Sequence, residues 1–299
     1  MRLDTHAAAI NQLLSASDSE NFSSAWRFIT SNFAELYSVK ENVAELRKTI
    51  LQLAVMGKLV PQNPTDQPAS ELLKEIAAEK ARLIKSGKLK PQKPLPPIKP
   101  EERAFHLPVF WEWTRLGDCV SVLGDGIHGT PKFDDAGEFF FINGNNLSDG
   151  IIEIKRETKR VAEEEYSKYR KELNDRTVLV SINGTIGNIA FYDNEKVVLG
   201  KSACYFNLFP QLDKIYIKKI INGQYFVRYA IEAATGSTIK NVSLGAMRHF
   251  PLPLPPLAEQ KRIVARVDQL MALCDNLEKS IAAAGDGRTA LLNAMMAKV

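Results

Sequence analysis

The chain has 299 residues, 39 Lys and Arg against 35 Asp and Glu, and a net charge of +4. That length is enough for one large or two ordinary domains with real cores. No run approaches about 18 consecutive apolar residues and the N-terminus lacks a basic-then-apolar leader, so a soluble, unexported, cytoplasmic chain is expected. The charge is too mild to establish nucleic-acid binding, though it is compatible with a locally basic surface. Cys119, Cys204 and Cys274 are odd in number and lack C-x-x-C spacing, so buried thiols are expected rather than disulfides or zinc ligands.

In chain order, residues 21–56 are expected to form one long helix. Its later half carries Leu36, Val39, Val43, Leu46, Ile50 and Leu53 at spacings of three and four, until Gly57 and Pro61 end it. A charged helix over 67–86 follows, with Leu73, Ile76, Leu83 and Ile84 inward and Gly87 as its stop. Prolines 91, 94, 96, 97 and 100 make 88–100 a stiff, polyproline-like linker and a domain boundary. Between Trp111 and Pro251 the chain reads as a mixed, strand-rich domain. Residues 119–123, 138–142, 177–182, 188–192 and 203–209 are its short strands, bounded by Gly, Asn or Asp. Tyr216 to Ala234 reads as a helix closed by Gly236.

The segment Phe250-Pro-Leu-Pro-Leu-Pro-Pro-Leu-Ala-Glu-Gln-Lys-Arg-Ile-Val264 joins a rigid extended stretch directly to a helix. Proline fixes φ and drives the preceding residue out of the helical region, so Leu252 and Leu254 are extended and the helix starts only after Pro256. Ile263, Val267, Leu270, Cys274, Leu277, Ile281 and Ala284 then form one apolar seam. The helix is expected over 258–284, to break at Gly285-Asp286-Gly287 and to resume to Val299. Two seams of matching period should pack antiparallel as a coiled coil; an ordinary core helix fits less well, because each stripe is narrow and sustained. Leu291, Leu292 and Met295 have no evident partner within the chain.

Several motifs imitate catalytic sites. Gly124-Asp-Gly-Ile-His-Gly129 matches G-x-G-x-x-G, but Thr130-Pro131 and the aromatic strand beyond forbid the helix a dinucleotide needs. Gly200-Lys-Ser202 lacks the first glycine of a phosphate loop, since position 195 is Glu. Asp134 or Asp135 with Glu153 and Lys155 could mimic the acidic pair and lysine of metal-dependent nucleases. No Asn-Pro-Pro-aromatic sequence and no glycine-rich S-adenosylmethionine loop is present, so methyl transfer would have to come from another chain. The histidines at 6, 106, 128 and 249 lack ligand spacing. His128 stands in a glycine-rich loop, where its ring reaches a base edge or bonds the loop itself.

Loops at 126–132, 143–146, 181–188 and 235–241 combine backbone freedom with amides, hydroxyls and single lysines. Such residues suit DNA readout, because Asn pairs with adenine and Lys bonds guanine or phosphate. They equally suit tight turns. The candidates are His128, Thr130, Lys132, Asn145, Asn146, Asn183, Thr185, Lys201, Ser237, Lys240 and Asn241.

The Phe250–Val264 string closely resembles the end of a target recognition domain in DNA-specificity subunits of type I restriction-modification enzymes. Leu46-Arg-Lys-Thr-Ile-Leu-Gln-Leu-Ala-Val-Met-Gly-Lys-Leu-Val-Pro61, with 68–74 and 79–85, resembles the other helical region of that family, in family order. The resemblance covers roughly Phe33 to Lys298. It implies an α+β chain with a strand-rich target recognition domain plus long antiparallel coiled-coil helices. Its divisions are a helical region over 1–87, a linker over 88–110, the recognition domain over 111–251 and a coiled-coil helix over 252–299. The implied function is non-catalytic: reading half of a split sequence in double-stranded DNA and docking methyltransferase subunits, with the restriction subunit joining through the complex. No cofactor is expected in this chain, and S-adenosylmethionine, ATP and Mg belong to the partner subunits. The seam from Leu36 to Met56 would span about 30 Å, close to one turn of B-DNA, and could act as a ruler. Family members normally carry two recognition domains, whereas this chain has one, so it is half of a longer subunit or a half-length subunit that self-associates. The alternatives are a metal-dependent nuclease and an assembly protein that reads no DNA.

Overall fold

The structure, a computed structural model, describes residues 2–16, 18–236 and 240–296. The chain is α+β and falls into two compact units, one of Met1–Ala54 with Ala265–Val299 and one of Val55–Val264. The first unit begins with α1 (Arg2–Ser15), α2 (Ser19–Ser31), the one-turn α3 (Phe33–Leu36) and α4 (Lys40–Val55). The single helix expected over 21–56 is therefore interrupted twice. At the breaks, Asn32 Nδ2 donates to the Phe28 carbonyl at 2.8 Å, Ser38 Oγ to Glu35 at 3.1 Å and Asn42 Nδ2 to Leu36 at 2.5 Å. Local bonds of this kind compete with the helical ladder. Val39 lies in the second break and is exposed, so it is no part of the seam, whereas Leu36, Val43, Ile50 and Leu53 are buried and Leu46 is half-buried. The uninterrupted seam helix, α4, has 16 residues and spans about 24 Å, less than the expected ruler.

In the second unit α5 (Ala69–Lys85) buries Ala69, Leu72 and Ile76, with Leu73, Leu83 and Ile84 half-buried. It stops at Gly87, whose N–H bonds Ile84 O while Lys88 N–H bonds Leu83 O. The proline-rich segment beyond is a strap within this unit, not a division between units. The guanidinium of buried Arg115 grips its carbonyls at Pro96 and Pro97, at 3.2 and 3.3 Å.

Ten short strands follow: β1 (Glu112–Arg115), β2 (Val120–Asp125), β3 (Phe139–Ile142), β4 (Leu147–Ser148), β5 (Ile151–Ile152), β6 (Arg160–Val161), β7 (Thr177–Ser181), β8 (Ile189–Phe191), β9 (Val197–Leu199) and β10 (Ala203–Leu208). Helix α6 (Glu163–Tyr169) precedes β7, and α7 (Lys214–Ile221), α8 (Gln224–Ala233) and α9 (Leu244–His249) follow β10. The helix expected over 216–234 is thus two, divided at Asn222-Gly223. The sheet β2-β10-β7-β8 is antiparallel, whereas β6-β3-β9 joins β3 and β9 in parallel. Ile142, Leu179, Ala190 and Leu199 pack into one core drawn from both sheets.

Strand β11 (Pro251–Leu254) pairs antiparallel with β1, Leu254 opposite Glu112 and Pro251 opposite Arg115. Two prolines fit because they alternate: the outward carbonyls of Pro251 and Pro253 accept from Tyr225 Oη at 2.6 Å and Tyr216 Oη at 2.9 Å. Leu252 and Leu254 then face β1 with their N–H groups, as an edge strand allows. Helix α10 (Leu257–Met296) starts directly after Pro256, as the prolines require, but runs on through Gly285 and Gly287. Each glycine costs a helix only about 1 kcal/mol, too little to force the expected break. Side chains of Leu291, Leu292 and Met295 lie outside the described residues. Ile263, Val267 and Cys274 are buried on the α10 seam, with Leu270, Leu277 and Ile281 half-buried. In the first unit Arg47 of α4 bonds Asp275 at 2.7 Å and Glu278 at 3.1 Å, setting the two seam helices side by side.

Candidate nucleic-acid interface

Strands β2, β3, β7 and β9 all end, and β10 begins, at one edge of the strand-rich unit, and hydrogen bonds tie their loops together. Ile127 N–H donates to Leu199 O and Gly200 N–H to Ile142 O, both at 2.8 Å. Gly144 N–H donates to Ser202 Oγ at 2.9 Å, and that hydroxyl donates to Asn143 Oδ1 at 3.0 Å. Ile182 N–H reaches Ser202 O, Val242 N–H reaches Ile182 O, and Gly184 N–H reaches Lys240 O. Five loops distant in sequence thereby become one surface. Glycine is required where they touch: a Cβ on Gly126 would fall on the Leu199 carbonyl, and one on Gly200 would fall on Asn143 Oδ1.

His128, Thr130, Lys132, Asn145, Thr185, Lys201, Lys240 and Asn241 are exposed on these loops, and Asn183 is half-buried. Ser237 lies outside the described residues. Asn183 Nδ2 bonds Asn241 Oδ1 at 3.4 Å, joining two candidate loops. Asn146 is a correction, because it is buried at 6% exposure. Its Oδ1 accepts from Asn143 N–H and its Nδ2 donates to Glu153 O, both at 3.0 Å, so its amide is consumed in holding the loop. His128 Nε2 lies 2.7 Å from Asp125 Oδ2, so the ring does bond its own loop. One lysine outside the expected set lies beside these loops. Lys155 Nζ stands 3.5 Å from the Asn145 carbonyl, and its side chain is 44% exposed. The carboxylate and lysine spacing there had pointed to a nuclease.

The residues of the nuclease alternative bond locally. Asp134 accepts from Ala136 N–H within its own turn, Glu153 pairs with Lys155 at 3.9 Å, and among the described residues no His, Cys, Asp or Glu side chains gather in threes to hold a metal. Gly126 is followed by a bridge from Ile127 to Gly200, not by a helix, and Gly200-Lys-Ser202 forms a turn. All three cysteines are free and buried, and burial pushes the Cys119 thiol up to about 12, far from a thiolate ligand. His6 is buried edge-on to Tyr37, His249 Nδ1 bonds Gly245 O, and His106 is exposed. No helix among the described residues is long and apolar enough to cross a membrane.

The type I restriction modification DNA specificity domain matches residues 108–284, more than half of the chain. The chain belongs to this family. This specificity-domain chain is 33% identical to the Escherichia coli type I restriction enzyme EcoAI specificity subunit over 98% of its own length and 51% of that subunit's. It is 29% identical to the EcoEI specificity subunit of the same organism, over 98% of this chain and 52% of the relative. It therefore spans about half the length of the curated relatives it matches. The crystal structure of an HsdS subunit from Thermoanaerobacter tengcongensis is 17% identical, with a TM-score of 0.44, over 90% of this chain and 57% of that one.

Proposed function

We propose that this chain is a non-catalytic DNA-specificity component that reads one half-site of double-stranded DNA with the loops at the strand ends. The carrying observation is the single surface built from five loops inside the matched domain, presenting Asn, Thr and Lys side chains. Lys132, Lys155, Lys201 and Lys240 supply phosphate or guanine contacts, while Asn145, Asn183, Thr185 and Asn241 supply base-edge donors and acceptors. The seam helices α4 and α10 dock the methyltransferase subunits, and the restriction subunit joins through that complex, in the cell interior. S-adenosylmethionine, ATP and Mg reside in those partners. Two copies of the chain pair about a two-fold axis and specify an interrupted palindrome with half-sites about one helical turn apart.

Sedimentation of the chain with its methyltransferase partner, alongside the methylated motif, tests this reading. A dimer on a palindromic motif is expected. A monomer in the active complex or an asymmetric motif refutes the pairing, and cleavage in magnesium abolished by Glu153→Ala refutes the non-catalytic role.

A further inference from the structure

His128 makes a loop bond and is nonetheless exposed. Its side chain is 72% accessible while Asp125 is 17% accessible, so the carboxylate is held inside and the ring projects outward. Both ends of the pair are anchored. Asp125 is the last residue of β2, paired with Cys204 of β10, and the backbone between the two is pinned by the bond from Ile127 N–H to Leu199 O at 2.8 Å. An ionised carboxylate only accepts hydrogen bonds, so the ring nitrogen facing it carries the proton. Nε2 is that nitrogen, so whenever the ring is neutral its Nδ1 is an acceptor. Among the described residues the ring has no other hydrogen-bond partner.

We propose that Asp125 and His128 form a base-reading dyad, with His128 Nδ1 accepting from an amino-bearing base and Asp125 acting as the positioning residue that sets the ring's polarity. In the major groove adenine N6 and cytosine N4 present such donors, whereas guanine and thymine present acceptors that a lone pair repels. The dyad thus demands adenine or cytosine at one position of the half-site. This rests on the DNA-reading assignment above and adds a named contact to it.

The test is selection from a randomised duplex library by the full chain with its methyltransferase partner, for the wild type, His128→Ala and Asp125→Asn. His128→Ala should erase the preference for adenine or cytosine at one position, by about 5- to 150-fold, and leave the other positions unchanged. Asp125→Asn should relax the same position, because an amide can accept or donate and no longer dictates the ring's proton. Nitrogen-15 NMR on the chain, which has four histidines, should show the His128 proton on Nε2 in the wild type and a mixture in Asp125→Asn. If Asp125→Asn unfolds, the exposed His128→Ala carries the test alone. A full wild-type motif from His128→Ala overturns the dyad, as does a uniform loss over all sequences with a shallower salt dependence, which marks a phosphate contact. A wild-type chain that selects no motif overturns the DNA-reading assignment together with the dyad.

Discussion

Replacing Glu102 by Gln is expected to cost about 1–2 kcal/mol of stability at neutral pH and to cost progressively less in acid. Arg115, 4% exposed at its side chain, donates to both oxygens of Glu102 at 2.7 and 2.8 Å, and Lys99 N–H adds a bond of 2.9 Å. First the guanidinium and then this N–H hold the carboxyl from an ordinary 4.5 down to about 2. At about 1.4 kcal/mol per pH unit that is a ceiling of about 3.5 kcal/mol. Glu102 is itself 33% exposed, and solvent screening brings the figure to about 1–2 kcal/mol. Because the folded value is depressed, the contribution is complete above 4.5 and is lost as pH falls through about 2. Urea unfolding of the two proteins, followed by circular dichroism from pH 7 downward, reads the difference directly. A gap that opens at neutral pH and narrows below 4.5 is expected. Equal stability at pH 7, or a gap independent of pH, would refute the role of this clamp in fastening the proline-rich strap.

Lys240→Ala should weaken all DNA sequences alike and reduce the slope of log affinity against log salt by about one unit, measured by binding titrations across salt concentrations. Asn145→Ala and Asn146→Ala separate reading from support. The exposed Asn145 should lose about 1–3 kcal/mol of base discrimination in competition binding while stability stays within about 0.5 kcal/mol. The buried Asn146 should lose about 1–3 kcal/mol of stability in denaturant unfolding, because two main-chain groups lose their partner. Glu259 has its carboxyl raised by burial, against the pull of Trp111 and Gln62. Its folded form therefore loses stability as pH climbs from the ordinary carboxylate range through the raised value, so Glu259→Gln should gain on the wild type as pH rises out of that range in thermal unfolding.

Strands were legible in the sequence wherever an apolar run stood between turn residues, as at 177–182 and 203–209, and the start of α10 after Pro256 followed from proline chemistry alone. Short elements escaped. The β4–β5 hairpin turns on Asp149-Gly150, both at positive φ, a two-residue signal the flanking dipeptides Leu-Ser and Ile-Ile were too brief to make conspicuous. The breaks at Asn32 and 37–39 hid inside an unbroken apolar period, because periodicity registers side chains and not the carbonyls that Asn32, Ser38 and Asn42 capture. Glycine pairs such as Gly285 and Gly287 read as a stop, yet α10 continues through them. At the candidate interface, composition picked loops that the fold brings to one edge but could not separate neighbours. Asn145 and Asn146 are chemically identical, and only the fold turns one outward and buries the other. That all five loops meet is likewise tertiary, since it depends on β3 and β9 pairing in parallel across more than fifty residues of chain.

Methylome sequencing of cells carrying this chain with its methyltransferase partner tests the central claim most directly. A single methylated motif is expected, and exchanging the loops at 126–132, 143–146 and 181–188 for unrelated sequences of equal length should change that motif while methylation persists. Methylation that keeps the same motif after the exchange, or that never depends on this chain, would contradict the account.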